Sequence, residues 1–221
     1  MGHAHGETAV AILDAMKRAV VTGVEGVVAA SLAPACAGCD RLLDAPLSGP
    51  VCASCWEDAR SAAGRYDGAL RRIIHAFKYD GRRSLAPPLG AILREAGAPL
   101  LRDADCVIPV PLYPWRRLRR GFNQAADLAG HLGPPLVNAL WRIRPTASQS
   151  GLTAAARRRN VRGAFRISPL LRRETRARYI TDRIVVLVDD VMTTGATSGA
   201  CSEVLTEAGA REVRVVTLAR A

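Results

Sequence analysis

The rhythm of apolar and polar residues changes several times along this chain, and each change marks an element. Ile184-Val185-Val186-Leu187-Val188 is an unbroken apolar run with four β-branched residues. A strand wetted on one face would alternate, so this run predicts a strand buried on both faces. Asp189 and Asp190 stand where it ends. A short loop of hydroxyls with one glycine follows, and Ser198–Leu205 starts a helix. Glu212–Ala219 is the last predicted strand. Upstream, Asp105–Pro111 reads as the first strand of the core sheet. Pro109 and Pro111 fit at its carboxyl end, because proline cannot donate to a central ladder. Leu136–Leu140 reads as a second strand.

Helical periods lie between and before these strands. Asp67–Gly81 carries an apolar helix face that ends in a Lys-Tyr-Asp-Gly turn. Ser84–Leu101 predicts a helix with Ser84 as N-cap and Pro87 in the first turn. Ala125–Leu132 predicts another. Ala9–Leu32 predicts an amphipathic helix packed on the rest of the protein, behind eight disordered residues that include His3 and His5. Strands and helices alternate from residue 84 onward, the pattern of an α/β fold with a parallel sheet flanked by helices.

Composition bounds this picture. The 221 residues suit one sizeable domain with a small appendage, and 49% hydrophobic content supports a core. The formal charge of +11 comes almost wholly from Arg, since Lys occurs only at positions 17 and 78. Abundant Arg and Ala also follow from GC-rich coding, so the charge is discounted as a sign of function, though it permits phosphate-rich partners. The tracts Arg116–Arg120, Arg157–Arg159 and Arg172–Arg173 hold much of it. No run of 18 uncharged apolar residues occurs, so no membrane insertion is expected. Residues Lys17–Ala35 imitate a signal peptide, but Glu25 interrupts them, and a cytoplasmic protein is the better reading.

Four cysteines add a metal-like pattern. Cys36-x2-Cys39 and Cys52-x2-Cys55 are separated by twelve residues. Each pair can form a tight knuckle with two thiolates on one metal, and two knuckles complete a tetrahedral structural Zn²⁺ site. Two redox CxxC centres or a disulfide framework are the alternatives. The module reads either as a fold staple or as a contact for single-stranded nucleic acid, with Trp56, Arg41, Arg60 and Arg65 as stacking and basic groups. Cys106 and Cys201 sit in apolar contexts and read as buried thiols.

The chemistry of the 184–197 run is specific. Ligands of open α/β sheets bind outside the carboxyl ends of the strands. Gly195 lets the backbone wrap an anion, and loop and helix N–H groups can hold a phosphate. Thr193, Thr194 and Thr197 add hydroxyls. Asp189 and Asp190 suit a vicinal diol, directly or beside Mg²⁺. A phosphate at one end and a diol at the other describe a ribose 5-phosphate. The run resembles the PRPP-binding signature of type I phosphoribosyltransferases. Pro111 and the Arg116–Arg120 loop would lie over a departing pyrophosphate, whose growing charge Arg and Mg²⁺ offset.

The order of motifs resembles the ComF family from about Ala33 to Ala221. Its marks are the four-cysteine module, Lys78-Tyr79-x-Gly81, Ile108-Pro109-Val110-Pro111 and Arg119-Arg120-Gly121-Phe122-Asn123-Gln124. Arg144-x-Thr146-x-x-Gln149, Arg157-x-x-Asn160-x-x-Gly163-Ala164-Phe165 and the PRPP loop complete it. The resemblance implies a type I phosphoribosyltransferase-like domain over 61–221, a zinc-ribbon-like module over 33–60 and a tail and helix over 1–32. It implies catalytic groups at Asp189, Asp190 and Arg120. Substrate contacts are expected from Val191, Met192, Thr193, Thr194, Gly195, Ala196, Thr197, Pro111, Lys78, Gln149, Arg157 and Asn160. It also implies Mg²⁺ with PRPP or a related ribose phosphate, and partners in DNA uptake and natural competence, either single-stranded DNA or a DNA-processing protein. No cysteine follows Met1, so glutamine-dependent amination is not expected. Two readings stay open: a PRPP-binding accessory protein, and an active transferase with an unidentified acceptor.

Overall fold

A computed structural model describes residues 16–17, 20–24, 27, 34–145 and 154–221. At its centre lies strand β5, Ile184–Met192, whose first five residues are buried. Successive strand residues point to opposite faces. Accordingly, Val186 and Val188 join one apolar cluster while Val185 and Leu187 join another. Strand β6 (Glu212–Arg220) lies on one side of β5 and β2 (Cys106–Pro109) on the other, all parallel. A two-residue strand β1 (Gly64–Arg65) pairs in parallel with the end of β6, giving the order β1-β6-β5-β2.

Helices cover both faces. The first cluster holds α1 (Ala53–Ser61), α2 (Gly68–Tyr79) and α3 (Ala86–Ala96), through Ala59, Leu70, Ile73, Phe77, Leu89 and Leu93. In α2 the buried residues Leu70, Ile73, Ile74 and Phe77 have the 3–4 spacing of one helix face. The second cluster holds α9 (Ala196–Glu207), through Cys201 and Leu205. Cys106 and Cys201 are both buried, as expected.

Several expected elements are placed differently. The predicted Ser84–Leu101 helix starts at Ala86 after a short turn, so Ser84 is not its N-cap. It breaks at Gly97, and α4 (Ala98–Leu101) follows. Pro99 cannot donate back across the junction, and a Cβ on Gly97 would lie 2.7 Å from Val216 Cγ2. The Arg116–Arg120 loop is instead helix α5, Pro114–Arg120, with proline in its first turn and Gly121 at φ 77° closing it. α6 spans Gln124–Ala129, capped by Asn123 Oδ1.

Leu136–Leu140 is not a strand. Only Leu136 bridges to Val107, and β3 begins at Leu140 (Leu140–Arg142), pairing antiparallel with β4, Phe165–Ile167. Between them, Ala154–Val161 is helix α7. α8 spans Arg173–Tyr179. Of residues 9–32, those described are helical, but Val20, Val21, Val24 and Val27 are exposed rather than packed. The sheet faces are already covered by helices from later in the chain. The first eight residues lie outside the described residues.

Candidate functional site

The acidic pair lies within β5, not beyond it. Strand pairing continues to Met192 because β6 runs alongside as far as Arg220. The backbone N–H of Asp190 donates to Asp189 Oδ1 at 2.9 Å, and that of Val191 to Asp190 Oδ1 at 2.6 Å. Lys78, in the last turn of α2, places Nζ 2.9 Å from Asp190 Oδ2, with both side chains largely buried. Burial first, and the charge of Asp190 second, push the Asp189 carboxyl up from 3.8 to about 7.

A cavity of about 220 Å³ joins these groups to the β2–α6 connection. Of the expected residues it brings together Lys78, Pro111, Arg120, Asp189, Asp190, Val191 and Thr197. It also holds Arg116 of the basic tract expected over the pyrophosphate, and adds Gln124 and Arg142, which were not among the candidate site residues. Arg142 sits in β3, 5% exposed, with its guanidinium 5.3 Å from the Phe165 ring. Burial, and Arg116 beside it, lower its proton affinity. Its position was hidden because β3 begins where the sequence pattern appeared to end.

The loop after β5 turns through Gly195 at φ 71°, the left-handed region that suits glycine, and α9 starts at Ala196. Ser198 Oγ donates to Gly195 O at 3.0 Å and steadies that turn. Thr194, Gly195 and Ala196 line a second hollow of about 320 Å³ with Arg159 of α7 and Arg162 just beyond it. Thr193 is exposed, and Met192 Sδ lies 3.6 Å from Ser198 Oγ. Asn160 is half-buried on α7. Gln149 lies outside the described residues, as does the side chain of Arg157.

The four cysteine thiols converge in a second site. All four Sγ atoms lie within 4.8 Å of one another. Backbone N–H groups of Gly38 and Cys52 both donate to Cys36 Sγ at 3.3 Å, and Arg41 Nε donates to Cys39 Sγ at 3.4 Å. The Ser54 hydroxyl and a backbone donor pull Cys52 down to about 6. The Arg41 bond lowers Cys39 as well. Burial raises Cys55. Four convergent sulfurs, three of them met by N–H donors, fit a tetrahedral thiolate metal such as Zn²⁺. Gly38 is needed there, because a Cβ would fall 2.7 Å from Cys55 Sγ. Trp56 packs against the core beside the knuckles rather than standing free for stacking.

One consequence is measurable without any ligand. Between pH about 4 and 7 the unfolded Asp189 is ionised while the folded one keeps its proton, so stability falls as pH rises through that window. Asp189→Asn lacks this loss. Its thermal midpoint should exceed wild type at pH 8, with the gap shrinking below pH 7. An equal gap at pH 5 and pH 8 would contradict the raised value.

A model of the phosphoribosyl transferase domain matches residues 118–221. Competence protein F of Haemophilus influenzae is 33% identical over 215 residues, spanning 84% of this chain and 90% of that protein. DNA utilization protein YhgH of Escherichia coli O157:H7 is 35% identical over 168 residues, 70% of this chain and 69% of that protein. Competence protein ComFC of Streptococcus pneumoniae is 27% identical over 155 residues, 70% of this chain and 65% of that protein. Among the described residues, no helix is long and apolar enough to cross a membrane.

Proposed function

This chain belongs to the ComF (competence protein F) family of phosphoribosyltransferase-like proteins, and on that premise we propose that it binds Mg-PRPP and acts in the cytoplasm in the uptake or use of DNA. The observation that carries the reading is the single cavity where Asp189, Asp190, Lys78, Arg120 and Thr197 meet. Acidic groups at one wall suit a ribose diol and Mg²⁺; basic groups at the other suit a pyrophosphate. Thr197 and the Gly195 turn stand where a 5-phosphate would sit.

The chain's own residues define the chemistry such a site supports. Bound Mg²⁺ would offset charge on a leaving pyrophosphate, and Asp189 and Asp190 are the residues that would hold it. Arg116 and Arg120 stabilise the same negative charge from the protein side. Lys78 neutralises Asp190 in the free protein, and a bound cation would release it toward the phosphates. Zinc at the four cysteines is structural in this reading. Single-stranded DNA or a DNA-processing protein is the proposed partner.

A second reading is transfer of the ribosyl group to an acceptor. A larger cavity of about 700 Å³ shares Pro111, Leu112 and Asn123 with the first and offers room for one. Two measurements test these readings. Mg-PRPP at a hundred times its Kd should stabilise the fold by about 2.7 kcal/mol, raising the thermal midpoint by roughly 5–10 °C. Ribose 5-phosphate should do less. Steady pyrophosphate release with any of a panel of bases and amines would establish the transferase; no release across the panel would leave the binding role.

A further inference from the structure

Gln124 is the first residue of α6 and is only 1% exposed, yet it lines the cavity of the acidic pair. Its Oε1 accepts from Arg120 Nη1 at 3.0 Å. A guanidinium can only donate, so this bond fixes the amide: oxygen toward Arg120, nitrogen away. That nitrogen, Nε2, is buried and has no acceptor among the described residues. Buried donors are nearly always satisfied. An unanswered one on a residue that lines a ligand cavity is open to an acceptor that arrives with the ligand.

The neighbours say what kind of acceptor. Asn123 is already engaged at both ends: Oδ1 caps Ala125 N at 3.2 Å, and Nδ2 donates to Val110 O at 3.1 Å. Arg120 also lies over the Tyr79 ring, 4.9 Å from its centroid, which holds its plane in place. Arg116 and Arg142 line the same cavity. Asp189 and Asp190 line it too, but three guanidiniums share it with Gln124 and one of them is bonded to its amide, which favours an anionic acceptor. We propose that Gln124 Nε2 donates to an oxygen of the pyrophosphate group, and that Arg120 is the positioning residue that orients the amide. The assignment rests on the PRPP reading, which it deepens by naming a contact on the leaving group.

The test titrates Mg-PRPP, Mg-pyrophosphate and ribose 5-phosphate into wild type, Gln124→Met and Gln124→Glu. Met matches the length of Gln and removes the unsatisfied donor; Glu keeps an acceptor for Arg120 and serves if Met disturbs folding. The expected result is at least a tenfold loss of Mg-PRPP and Mg-pyrophosphate affinity. Ribose 5-phosphate affinity should stay within twofold, and the thermal midpoint should be equal or higher. A merely structural glutamine would lower the midpoint and weaken all three ligands alike. Arg120→Lys should cost a similar factor, and adding Gln124→Met to it should cost little more, because the two act as one unit. If wild type binds Mg-PRPP and Gln124→Met binds it equally well, the Gln124 assignment alone falls. If folded wild type binds neither Mg-PRPP nor Mg-pyrophosphate, both readings fall.

Discussion

Cys55→Ser protein is expected to retain no stoichiometric zinc, to melt roughly 6–12 °C lower, and to bind Mg-PRPP more weakly. The first effect follows from the tetrahedral set, which needs all four sulfurs for a closed structural site. The second follows from where the knuckles lie. Cys36, Leu43, Val51 and Cys55 belong to the same buried cluster as Leu70, Ile73 and Phe77 of α2. Loosening them opens one edge of the main core, and a loss of about 3 kcal/mol would give that shift in a chain of this size. The third follows from α2 itself. Arg72 Nε donates to Gly38 O in the first knuckle, and Lys78, two turns on, pairs with Asp190. One rigid helix therefore touches both sites. Metal analysis, thermal melting and ligand titration check the three parts. A variant that keeps its zinc, or that melts like wild type, would contradict the structural role of the cysteines.

The second large effect is at the acidic pair. Asp190→Asn and Asp189→Asn should each weaken Mg-PRPP binding at least a hundredfold, about 2.7 kcal/mol, because both remove a charge opposite Mg²⁺ and the diol. The two should differ in stability. Asp189 is a half-buried carboxylate held against a like charge, so its removal should stabilise at neutral pH. Asp190 is the partner of Lys78, whose side chain is 13% exposed. Its removal leaves a largely buried cation that has lost its contact ion pair and keeps only the weaker attraction of Asp189, which should lower the thermal midpoint. Lys78→Met in the Asp190→Asn background should restore part of that loss. Parallel stability changes in the two single variants would show that the ion pair does not have this role.

Much of this arrangement was legible because local pattern and long-range packing agree. The β5 run, the two carboxylates and the glycine turn need only a strand, a loop and a helix in succession, and the four cysteines carry their own spacing. What was not legible depended on pairing between distant segments. β5 runs through both carboxylates only because β6 extends to Arg220 beside it. Arg142 enters the cavity only because Leu140–Arg142 pairs with Phe165–Ile167 across an intervening helix. The Arg116–Arg120 tract looked like a loop because it is so basic, yet Pro114 and Gly121 bracket a helix. The long helix predicted to Leu101 ended early because Gly97 packs against Val216, a contact from the far end of the chain. Gln124 was visible as a motif residue, but its role depends on a bond to Arg120 that spacing alone does not reveal.

The most direct measurement is calorimetric titration of Mg-PRPP into zinc-loaded wild-type protein. The expected result is one site with a micromolar Kd, about −8 kcal/mol, with binding lost in the Asp189→Asn/Asp190→Asn double variant. A well-folded wild type that gives no binding heat with millimolar Mg-PRPP would contradict the assignment of the cavity to PRPP.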